Sequence, residues 1–411
     1  MERVVANPSP SEYTAQHWID EAQAGIRARR DHMRGGDKRA RNVVMFLGDG
    51  MSVPTLAAAR TLLGQRTNRP ATAYLCGVKA NRGTIGLSAA VPRYNCSASL
   101  DNSARLDSIA AWALADGRDA GVVTTTRITH ASPAGAFAKV ANRHWENDAE
   151  VKANNEDPNI CPDIAYQLVH SDPGKQFKYH LESDTRTEPT LAELTEVAIR
   201  SLSRNEKGFF LFVEGGRIDH AHHDNQVELA LDETIEFSAA VARATELLSD
   251  DDSLIVVTAD HAHVMTFNGY TRRGGDILGP SDDRDESGVP YMTLSYSNGP
   301  GFRPHVNNTR VDVTRESNYR QLEWMSHVDV PLESETHGGD DVAVFASGPH
   351  HQMFSGLYEQ SQLPHLMAYA ACIGPGQHAC NVAVHHVLAK PLMVAFTLFY
   401  FLKLFRVSVL Q

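Results

Sequence analysis

The chain has 411 residues and a formal net charge of −12 at pH 7; 42% of its residues are hydrophobic and 21% are charged. This composition predicts a globular protein of one or two domains, and the absence of a Lys or Arg stripe argues against nucleic acid as a partner. The acidic excess suits metal cations, although an acidic surface that only maintains solubility is a more common reason for it.

The first 41 residues are polar and lack the apolar stretch of a secretory signal peptide. After them the chain repeats one pattern, in which an apolar run of β-forming residues is followed by a polar turn. The runs are residues 43–47, 121–125, 209–213, 254–258 and 342–346, with helical patterns between them that include 107–116 and 191–203. Alternating strands and helices predict an α/β fold, a three-layer sandwich with a central, largely parallel sheet.

Residues 268–334 depart from this pattern, because they are rich in Gly, Asn, Asp and Arg and contain only short strands such as 291–296. We interpret them as a small insertion that covers the functional site, and not as a separate fold. The core is then predicted to comprise residues 1–267 and 335–380.

The C-terminal residues 381–411 are an apolar tail, in which residues 391–402 carry no charge. This uncharged run is short for a membrane span. Its length fits a removable tail that directs attachment of a glycolipid anchor. The alternative is a C-terminal helix buried in the fold.

Five cysteines are present, at positions Cys76, Cys96, Cys161, Cys372 and Cys380. The odd number leaves at least one thiol unpaired, and the spacing alone does not assign the pairs. Because no Cys-x-x-Cys occurs, thiolate zinc fingers and thioredoxin-like chemistry are excluded.

The densest polar cluster lies in residues 213–223, directly after the apolar run 209–213. Asp219 and His223 are four residues apart, so on a helix they lie on one face and can bind one ion. Carboxylate plus imidazole is a ligand set that zinc accepts, and Glu214 at the strand end offers a hard oxygen to magnesium. A solvated polar loop is the alternative, but this density after a buried strand argues against it.

Other polar groups follow other strands, and parallel sheets carry their sites beyond the carboxyl ends of the strands. We therefore predict two zinc sites and one magnesium site, formed by Asp219, His223 and His337, by Asp49, Asp260 and His261, and by Asp49, Ser132 and Glu214. Two metals ~4 Å apart clamp a phosphoryl group. Arg143 can form a fork onto phosphate oxygens, although a surface position is the more common place for any single arginine.

Five segments of the sequence resemble the motifs of animal alkaline phosphatases, in the same order along the chain. They are residues 42–51 (NVVMFLGDGM), 121–133 (GVVTTTRITHASP), 208–223 (GFFLFVEGGRIDHAHH), 258–263 (TADHAH) and 335–345 (ETHGGDDVAVF). The resemblance runs from about Trp18 to Ile373. It implies a phosphate monoester hydrolase with two Zn²⁺ and one Mg²⁺, held by the three ligand sets named above.

The resemblance implies further features of the chain. Arg143 corresponds to the phosphate-binding arginine of the family, and His130 and His263 correspond to histidines close to the metals. The family's disulfides correspond to Cys96–Cys161 and Cys372–Cys380, which leaves Cys76 free. Residues 268–334 correspond to the family's small crown domain. A homodimer at the cell surface or outside the cell, with a glycolipid anchor, is also implied, although the chain has no signal peptide.

The sequence departs from the family at the nucleophile. The family carries an Asp-Ser turn before a segment that corresponds here to residues 71–77, but this chain passes from Gly64 through 65–70 directly into that segment. Several dozen residues and the serine, which is also a zinc ligand in the family, are therefore absent. Thr67 stands at the register of the serine, and a threonine hydroxyl can attack phosphorus. A helix N-cap is the alternative role for Thr67.

A second gap follows His170, where residues 171–173 join a segment that resembles a much later part of the family. The calcium-binding subdomain is partly lost, and Glu188 alone does not form a site. Skipped or mispredicted exons would explain both gaps. Three hypotheses follow: a hydrolase that acts through Thr67 or by direct attack of water, a non-catalytic homologue that binds zinc and phosphate, and a truncated isoform with a folding defect.

Overall fold

The computed structural model describes residues 14–32, 39–64, 75–168, 189–269, 271 and 276–378. The predictions for Thr67, Glu188, Cys380 and the apolar tail 381–411 lie outside these residues. Every helix within the described ranges is too short or too polar to cross a lipid bilayer.

The central sheet has five strands in the described part of the chain. The strands are β1 Asn42–Gly48, β2 Asp119–Thr124, β3 Phe209–Gly215, β4 Ser253–Thr258 and β12 Phe345–Ser347. Their spatial order across the sheet is β12, β4, β1, β3, β2. The first four are mutually parallel, and β12 pairs antiparallel with β4. The α/β class with a largely parallel sheet is therefore confirmed.

The apolar runs become central strands because both faces of the sheet are covered. Every residue of β1, β3 and β4 is buried, as expected for parallel strands between helical layers. In the register of the sheet Leu47 lies between Glu214 and Thr258, so the ends of these three strands coincide at one edge. The polar residues that follow each strand are thereby brought together.

Helices cover the sheet from both sides. Their bounds are α1 Ala15–His32, α2 Val53–Gly64, α3 Cys96–Ser99, α4 Ile109–Ala115, α5 Ala131–Ala134, α6 Asp148–Ala153, α7 Ile164–Gln167, α8 Leu191–Leu202, α9 Arg217–His223, α10 Val227–Leu247 and α11 Leu363–Ala371. Helices α8 and α10 pack together against one face, and α4 and α11 pack together against the other. On the α10 side, the rings of Phe46 and Phe237 meet edge to face at 5.9 Å.

The remaining strands form small sheets beside the site. They are β5 Ala262–His263, β6 Met265–Phe267, β7 Pro280–Arg284, β8 Pro290–Met292, β9 Leu294–Gly299, β10 Val328–Pro331 and β11 His337–Gly338. Strand β9 lies between β10 and β6 in a three-stranded sheet. This sheet joins β6, which precedes residue 268, to strands of the inserted region 268–334.

Some predicted element boundaries differ from the observed ones. The predicted strand 291–296 is two strands, because β8 pairs with β7 whereas β9 pairs with β6 and β10. The predicted strand 342–346 begins only at Phe345, where pairing with Val257 starts. The predicted helix 191–203 begins at Leu191 because Thr190 and Glu193 form a capping box, and it ends at Leu202.

The cysteines follow the resemblance where the structure describes them. Cys96 and Cys161 form a disulfide with their Cα atoms 6.0 Å apart, and Cys76 is free. Burial raises the pKa of the Cys76 thiol to about 11, so this thiol is protonated at neutral pH. The predicted pair Cys372–Cys380 extends beyond the described residues.

Candidate metal centre

The predicted ligands converge at the carboxyl edge of the parallel strands. Asp49 directly follows β1, Glu214 lies at the end of β3, and Asp260 follows β4. Helix α9 begins two residues after β3 ends and carries Asp219 and His223 on one face. His337 enters from β11, whose antiparallel partner β5 contains His263. Helix α9 and the strand pair β5–β11 thus both carry side chains to the carboxyl edge of the central sheet.

The carboxylate of Asp219 is surrounded by imidazoles. Its Oδ1 lies 2.8 Å from Nε2 of His263, 3.4 Å from Nε2 of His223 and 3.4 Å from Nε2 of His337. Nε2 of His261 is 3.8 Å away. Although burial alone raises the pKa of Asp219, hydrogen bonds from His263 and His337 bring it well below its ordinary value. Asp219 is therefore the ionised centre of this cluster.

The two imidazoles of His223 and His337 face each other in a manner that suits a cation. Nδ1 of His223 lies 2.6 Å from the backbone oxygen of Glu335 and must donate to it, so in a neutral ring Nε2 is the nitrogen that can bind a metal ion. That Nε2 lies 3.1 Å from Nε2 of His337. Two ligands bound to one zinc at ~2.1 Å stand about this far apart. The donor set therefore fits zinc.

A second group lies around Asp49. Nε2 of His261 is 3.4 Å from Oδ1 of Asp49 and 3.2 Å from Oδ2 of Asp260. The other oxygen of Asp260 accepts from the backbone N–H groups of Gly50 and His261, at 2.9 and 3.0 Å. These two bonds fix Oδ1 of Asp260, so that its Oδ2 faces Nε2 of His261. Carboxylates and one imidazole suit a second zinc.

Oxygen ligands dominate the third group. Ser132 Oγ donates to Oδ2 of Asp49 at 3.3 Å. Oε2 of Glu214 accepts from the hydroxyls of Thr124 and Thr126, whereas its buried Oε1 has no hydrogen-bond partner among the described residues. Burial raises the pKa of Glu214 to about 7 despite those two hydroxyls. An oxygen-rich site with one unpartnered carboxylate oxygen fits magnesium.

Arg143 reaches the site beside His130. Its Nη2 lies 3.2 Å from Nε2 of His130, and because a guanidinium only donates, that imidazole nitrogen accepts. Burial, aided by the Arg143 charge, lowers the pKa of His130 to about 4. The neutral ring therefore carries its proton on Nδ1, a buried atom that has no partner among the described residues. A ring nitrogen of His130 lies within 4.8 Å of carboxylate oxygens of Asp49 and Glu214, so Arg143 is positioned beside this group through its contact with His130.

His263 and Glu335 form a hydrogen-bonded network behind Asp219 that spacing in the sequence does not reveal. His263 lies between Asp219 and Glu335, and its Nδ1 makes a close hydrogen bond to the buried Glu335 carboxylate. Burial alone would lower the pKa of His263, but these two hydrogen bonds outweigh it and raise the pKa to about 9. Oε1 of Glu335 in turn accepts from the backbone N–H of Val264 at 2.7 Å.

Behind His263 stands a second buried imidazole, His222. The two rings stack at 4.8 Å with 26° between their planes. Nε2 of His222 lies 3.0 Å from the hydroxyl of Thr55 on α2, and Nδ1 lies 2.8 Å from the hydroxyl of Tyr296 on β9. Spacing along α9 does not distinguish His222 from the proposed ligands Asp219 and His223, and only the fold shows that its two ring nitrogens are paired with Thr55 and Tyr296.

We expect His263→Ala to lower zinc affinity about 10–100-fold, the effect that is typical of groups that orient a metal ligand. The substitution removes the donor that holds Oδ1 of Asp219 at 2.8 Å. Competition with a chromophoric chelator measures the affinity. His327→Ala is the matched control, because His327 interacts with Asp329 at 3.6 Å in the inserted region. Equal zinc affinity in both variants would contradict an orienting role.

Comparison with known proteins assigns the chain to a family. The sequence profile described as alkaline phosphatase matches residues 40–71, 67–175 and 172–373. The membrane-bound alkaline phosphatase of Bombyx mori is 51% identical, with 92% of this chain and 89% of that protein covered. The tissue-nonspecific alkaline phosphatase isozyme of Homo sapiens is 35% identical, with 93% and 94% covered.

Solved structures agree on the fold. The alkaline phosphatase of the Antarctic bacterium TAB5 superposes with a TM-score of 0.52 at 19% identity, covering 82% of this chain and 99% of that one. A mutant of the TAB5 enzyme in which one histidine is replaced by glutamate, with Mg bound in its M3 site, gives a TM-score of 0.55 at 19% identity, also with 82% and 99% covered.

The matched segments also mark where residues are missing. The alignment with the Bombyx mori protein spans 491 positions, whereas this chain has 411 residues, so at least 80 of those positions have no residue here. The three segments matched by the profile meet at residues 67–71 and 172–175. These are the two places where we predict gaps, while the loss of the serine itself stays a prediction. By sequence profile, by relatives and by fold, the chain belongs to the alkaline phosphatase family.

Proposed function

We propose that this chain is a metal-dependent phosphate monoester hydrolase in which no serine acts as the nucleophile. Asp219, His223 and His337 would hold one zinc, and Asp49, Asp260 and His261 a second, while Asp49, Ser132 and Glu214 would hold magnesium. The observation that carries the proposal is the convergence of imidazole nitrogens and carboxylate oxygens around Asp219 and Asp49. When bound, these metals would neutralise the phosphate oxygens and stabilise the entering and leaving oxygens.

The side chains of the protein then perform the remaining tasks. Arg143 binds two phosphate oxygens through its planar fork, which orients the ester. The Nδ1–H group of His130 donates to the same anion. Asp219 is held by His263, and Asp260 by two backbone N–H groups, so the ligands need little rearrangement during the reaction. A water oxygen attacks phosphorus in place of the serine, the bond between phosphorus and the ester oxygen breaks, and the alcohol leaves with a proton from the water. Turnover is accordingly slower than with a serine nucleophile.

A non-catalytic homologue that binds zinc and phosphate is the second candidate. It is favoured by the break in the family profile at residues 67–71, where the nucleophile segment belongs. The ligand sets and Arg143 lie outside that break. Binding therefore depends on residues that are present, whereas turnover depends on a replacement for the missing group.

We expect Thr67→Ala to leave turnover of a chromogenic phosphate ester unchanged within about twofold, because the β-methyl group of threonine crowds its hydroxyl. The assay is run at alkaline pH with zinc and magnesium present, and bound zinc is measured on the same sample. Turnover that disappears in the variant would show that Thr67 is the nucleophile. Absence of turnover in both proteins, with zinc bound, would establish the second candidate.

We expect Arg143→Ala to weaken binding of inorganic phosphate by about 10–100-fold, since a charged hydrogen bond contributes ~1.5–3 kcal/mol. Bound zinc stays the same, because Arg143 contacts His130 and not a proposed ligand. Titration calorimetry measures the affinity. The matched control is Arg82→Ala, an exposed arginine beside Gly83, whose oxygen accepts from the Arg143 backbone N–H at 2.7 Å. A similar loss of phosphate affinity in both variants would indicate a nonspecific effect of the reduced positive charge and would contradict a phosphate site at Arg143.

We also propose a homodimer located at the cell surface or outside the cell, with residues 381–411 directing a glycolipid anchor. The Bombyx mori relative is named a membrane-bound enzyme, and the disulfide between Cys96 and Cys161 is typical of an oxidising compartment. Release from membranes by a phosphatidylinositol-specific phospholipase, and the mass of the released protein in solution, test these points. Residues 268–334 are proposed as the crown-like insertion on the core.

A further inference from the structure

Two threonine hydroxyls lie against one oxygen of the Glu214 carboxylate. In the parallel register of β2 and β3, Thr124 is the direct neighbour of Glu214, so the two side chains project from the same face of the sheet. The Thr124 hydroxyl makes a close hydrogen bond to Glu214 Oε2, and the Thr126 hydroxyl donates to the same oxygen at 3.0 Å. All three residues are buried, so water does not compete for these contacts.

The surrounding backbone holds this arrangement in place. Thr124 Oγ1 accepts from the backbone N–H of Thr126 at 2.8 Å, so its own proton is available to the carboxylate. The backbone at Gly216 packs against both partners, because a Cβ at that position would come within 2.5 Å of Thr126 Cγ2 and 3.0 Å of Glu214 Cδ. The Glu214 side chain therefore has little room to rotate, and Oε2 stays with the threonines.

The two oxygens of Glu214 consequently differ in what they can bind. Each carboxylate oxygen has two acceptor directions, and the two threonine hydroxyls use both of those on Oε2. Oε1 has no hydrogen-bond partner among the described residues. A cation that bound both oxygens would have to displace both hydroxyls and leave them unpaired in a buried place, which is costly. Glu214 thus offers a cation one oxygen.

The other groups of the proposed magnesium site also offer one oxygen each. Oδ1 of Asp49 faces Nε2 of His261 at 3.4 Å, whereas Oδ2 faces the Ser132 hydroxyl at 3.3 Å. Single oxygens from three side chains leave the rest of an octahedron to water, several molecules of which magnesium usually keeps. Calcium takes about six to eight oxygens and often binds a carboxylate through both of them. A site without a bidentate carboxylate favours the smaller ion.

We propose that Thr124 and Thr126 restrict Glu214 to one metal-binding oxygen and thereby make this site select magnesium over calcium. The inference rests on the proposed function for the presence of the site, but it does not require turnover. Both threonines are positioning residues, because they act on the cation only through Glu214. The selectivity is therefore a property of the β2–β3 pairing that places Thr124 beside Glu214.

The test uses the full chain loaded with zinc and takes Mn²⁺ as a paramagnetic probe, since this ion also prefers octahedral oxygen sites. The electron paramagnetic resonance signal of free Mn²⁺ measures its release as Mg²⁺ or Ca²⁺ is added. We expect Mg²⁺ to release Mn²⁺ from the parent at a lower concentration than Ca²⁺, and Glu214→Gln to lose the displaceable Mn²⁺. A parent without displaceable Mn²⁺ would overturn the proposed site and this inference together. Equal release by both ions would overturn this inference alone.

The double variant Thr124→Val, Thr126→Val removes both hydroxyls with little change of shape. We expect its magnesium affinity to fall about tenfold, the lower end of the range typical of groups that orient a metal ligand. Its calcium affinity should stay roughly the same, because Oε2 becomes available as a second ligand atom. The preference for magnesium over calcium should thus fall about tenfold. An unchanged preference in the folded variant would overturn the proposal.

Matched variants separate this effect from a general loss of packing. Thr125→Val removes a buried hydroxyl that has no partner among the described residues, so its preference should equal that of the parent. Thr124→Ser and Thr126→Ser keep the hydroxyls and should keep the preference; a tenfold loss in any of these three variants would contradict the assigned role. Should the double variant not fold, Thr126→Val alone leaves Thr124 in place and should give an intermediate preference. A value equal to that of the parent in this single variant would overturn the proposal.

Discussion

Asp219→Asn is expected to reduce the zinc affinity of this chain by more than about 100-fold, beyond the 10–100-fold range typical of groups that only orient a ligand. Four imidazole Nε2 atoms lie within 3.8 Å of Asp219 Oδ1, and no other carboxylate among the described residues of the site has so many around it. The amide has the same shape but no negative charge, so the variant lacks the carboxylate charge that would offset the charge of a zinc ion.

The measurement is zinc affinity by competition with a chelator, together with the thermal midpoint of the metal-free protein. Asp224→Asn is the matched control, because Asp224 is exposed, follows α9 directly and undergoes the same change of charge. We expect its zinc affinity to equal that of the parent. Zinc affinity within tenfold of the parent in the Asp219 variant, with an unchanged fold, would contradict the proposed centre.

Arg118→Met is expected to lower the free energy of unfolding by about 3–5 kcal/mol, the range for breaking a buried charged network. Arg118 is only 3% exposed. Its guanidinium donates to the backbone oxygens of Ala40, Arg41 and Ala371, and its Nε donates to Asp116 at 3.0 Å. Removing these donors takes a hydrogen bond from the backbone oxygens of Ala40 and Arg41 at the start of β1, and leaves the Ala371 oxygen at the end of α11 with Nε of Arg39 at 3.1 Å.

Arg118→Met should lower the free energy of unfolding without changing zinc binding. Arg118 precedes β2, at the amino edge of the sheet, whereas the ligands follow the carboxyl ends of the strands. Bound zinc in the folded variant should therefore equal that of the parent. Urea unfolding at fixed zinc concentration measures the change, since a bound metal itself stabilises the folded state. Arg41→Met, which removes a half-exposed ion pair with Asp252, should cost less than about 1 kcal/mol. Equal losses for Arg118 and Arg41 would refute the buried network.

The sequence predicted the main sheet well because β1, β3 and β4 are continuous apolar runs. Such runs occur where helices cover both faces, and burial then determines the strand. It predicted the edge of the sheet less well. Residues 342–344 are as apolar as Phe345, but a strand requires a hydrogen-bonded neighbour, and Val257 meets the chain only at Phe345. Local composition does not contain that information.

Some polar residues of the site could likewise be predicted from local sequence, whereas the roles of others could not. The spacing of Asp219 and His223 identifies them as one face of α9 without any tertiary information, because the period of a helix is a local property. The roles of His263 and Glu335 are not local. His263 meets Asp219 across 44 residues and Glu335 across 72. Neither partner can be selected from the several carboxylates of the sequence by spacing alone.

The sequence by itself therefore determined the α/β class, the family and the residues that converge at the strand ends, since apolar runs and long motifs record those features directly. Only the tertiary structure decided which nitrogen of each imidazole faces the site, which oxygen of Glu214 has no partner among the described residues, and how His222 connects α2, α9 and β9. The physical reason is that hydrogen bonds are directional and act over about 3 Å. Their partners are selected only when packing has fixed the distances between elements that lie far apart in the chain.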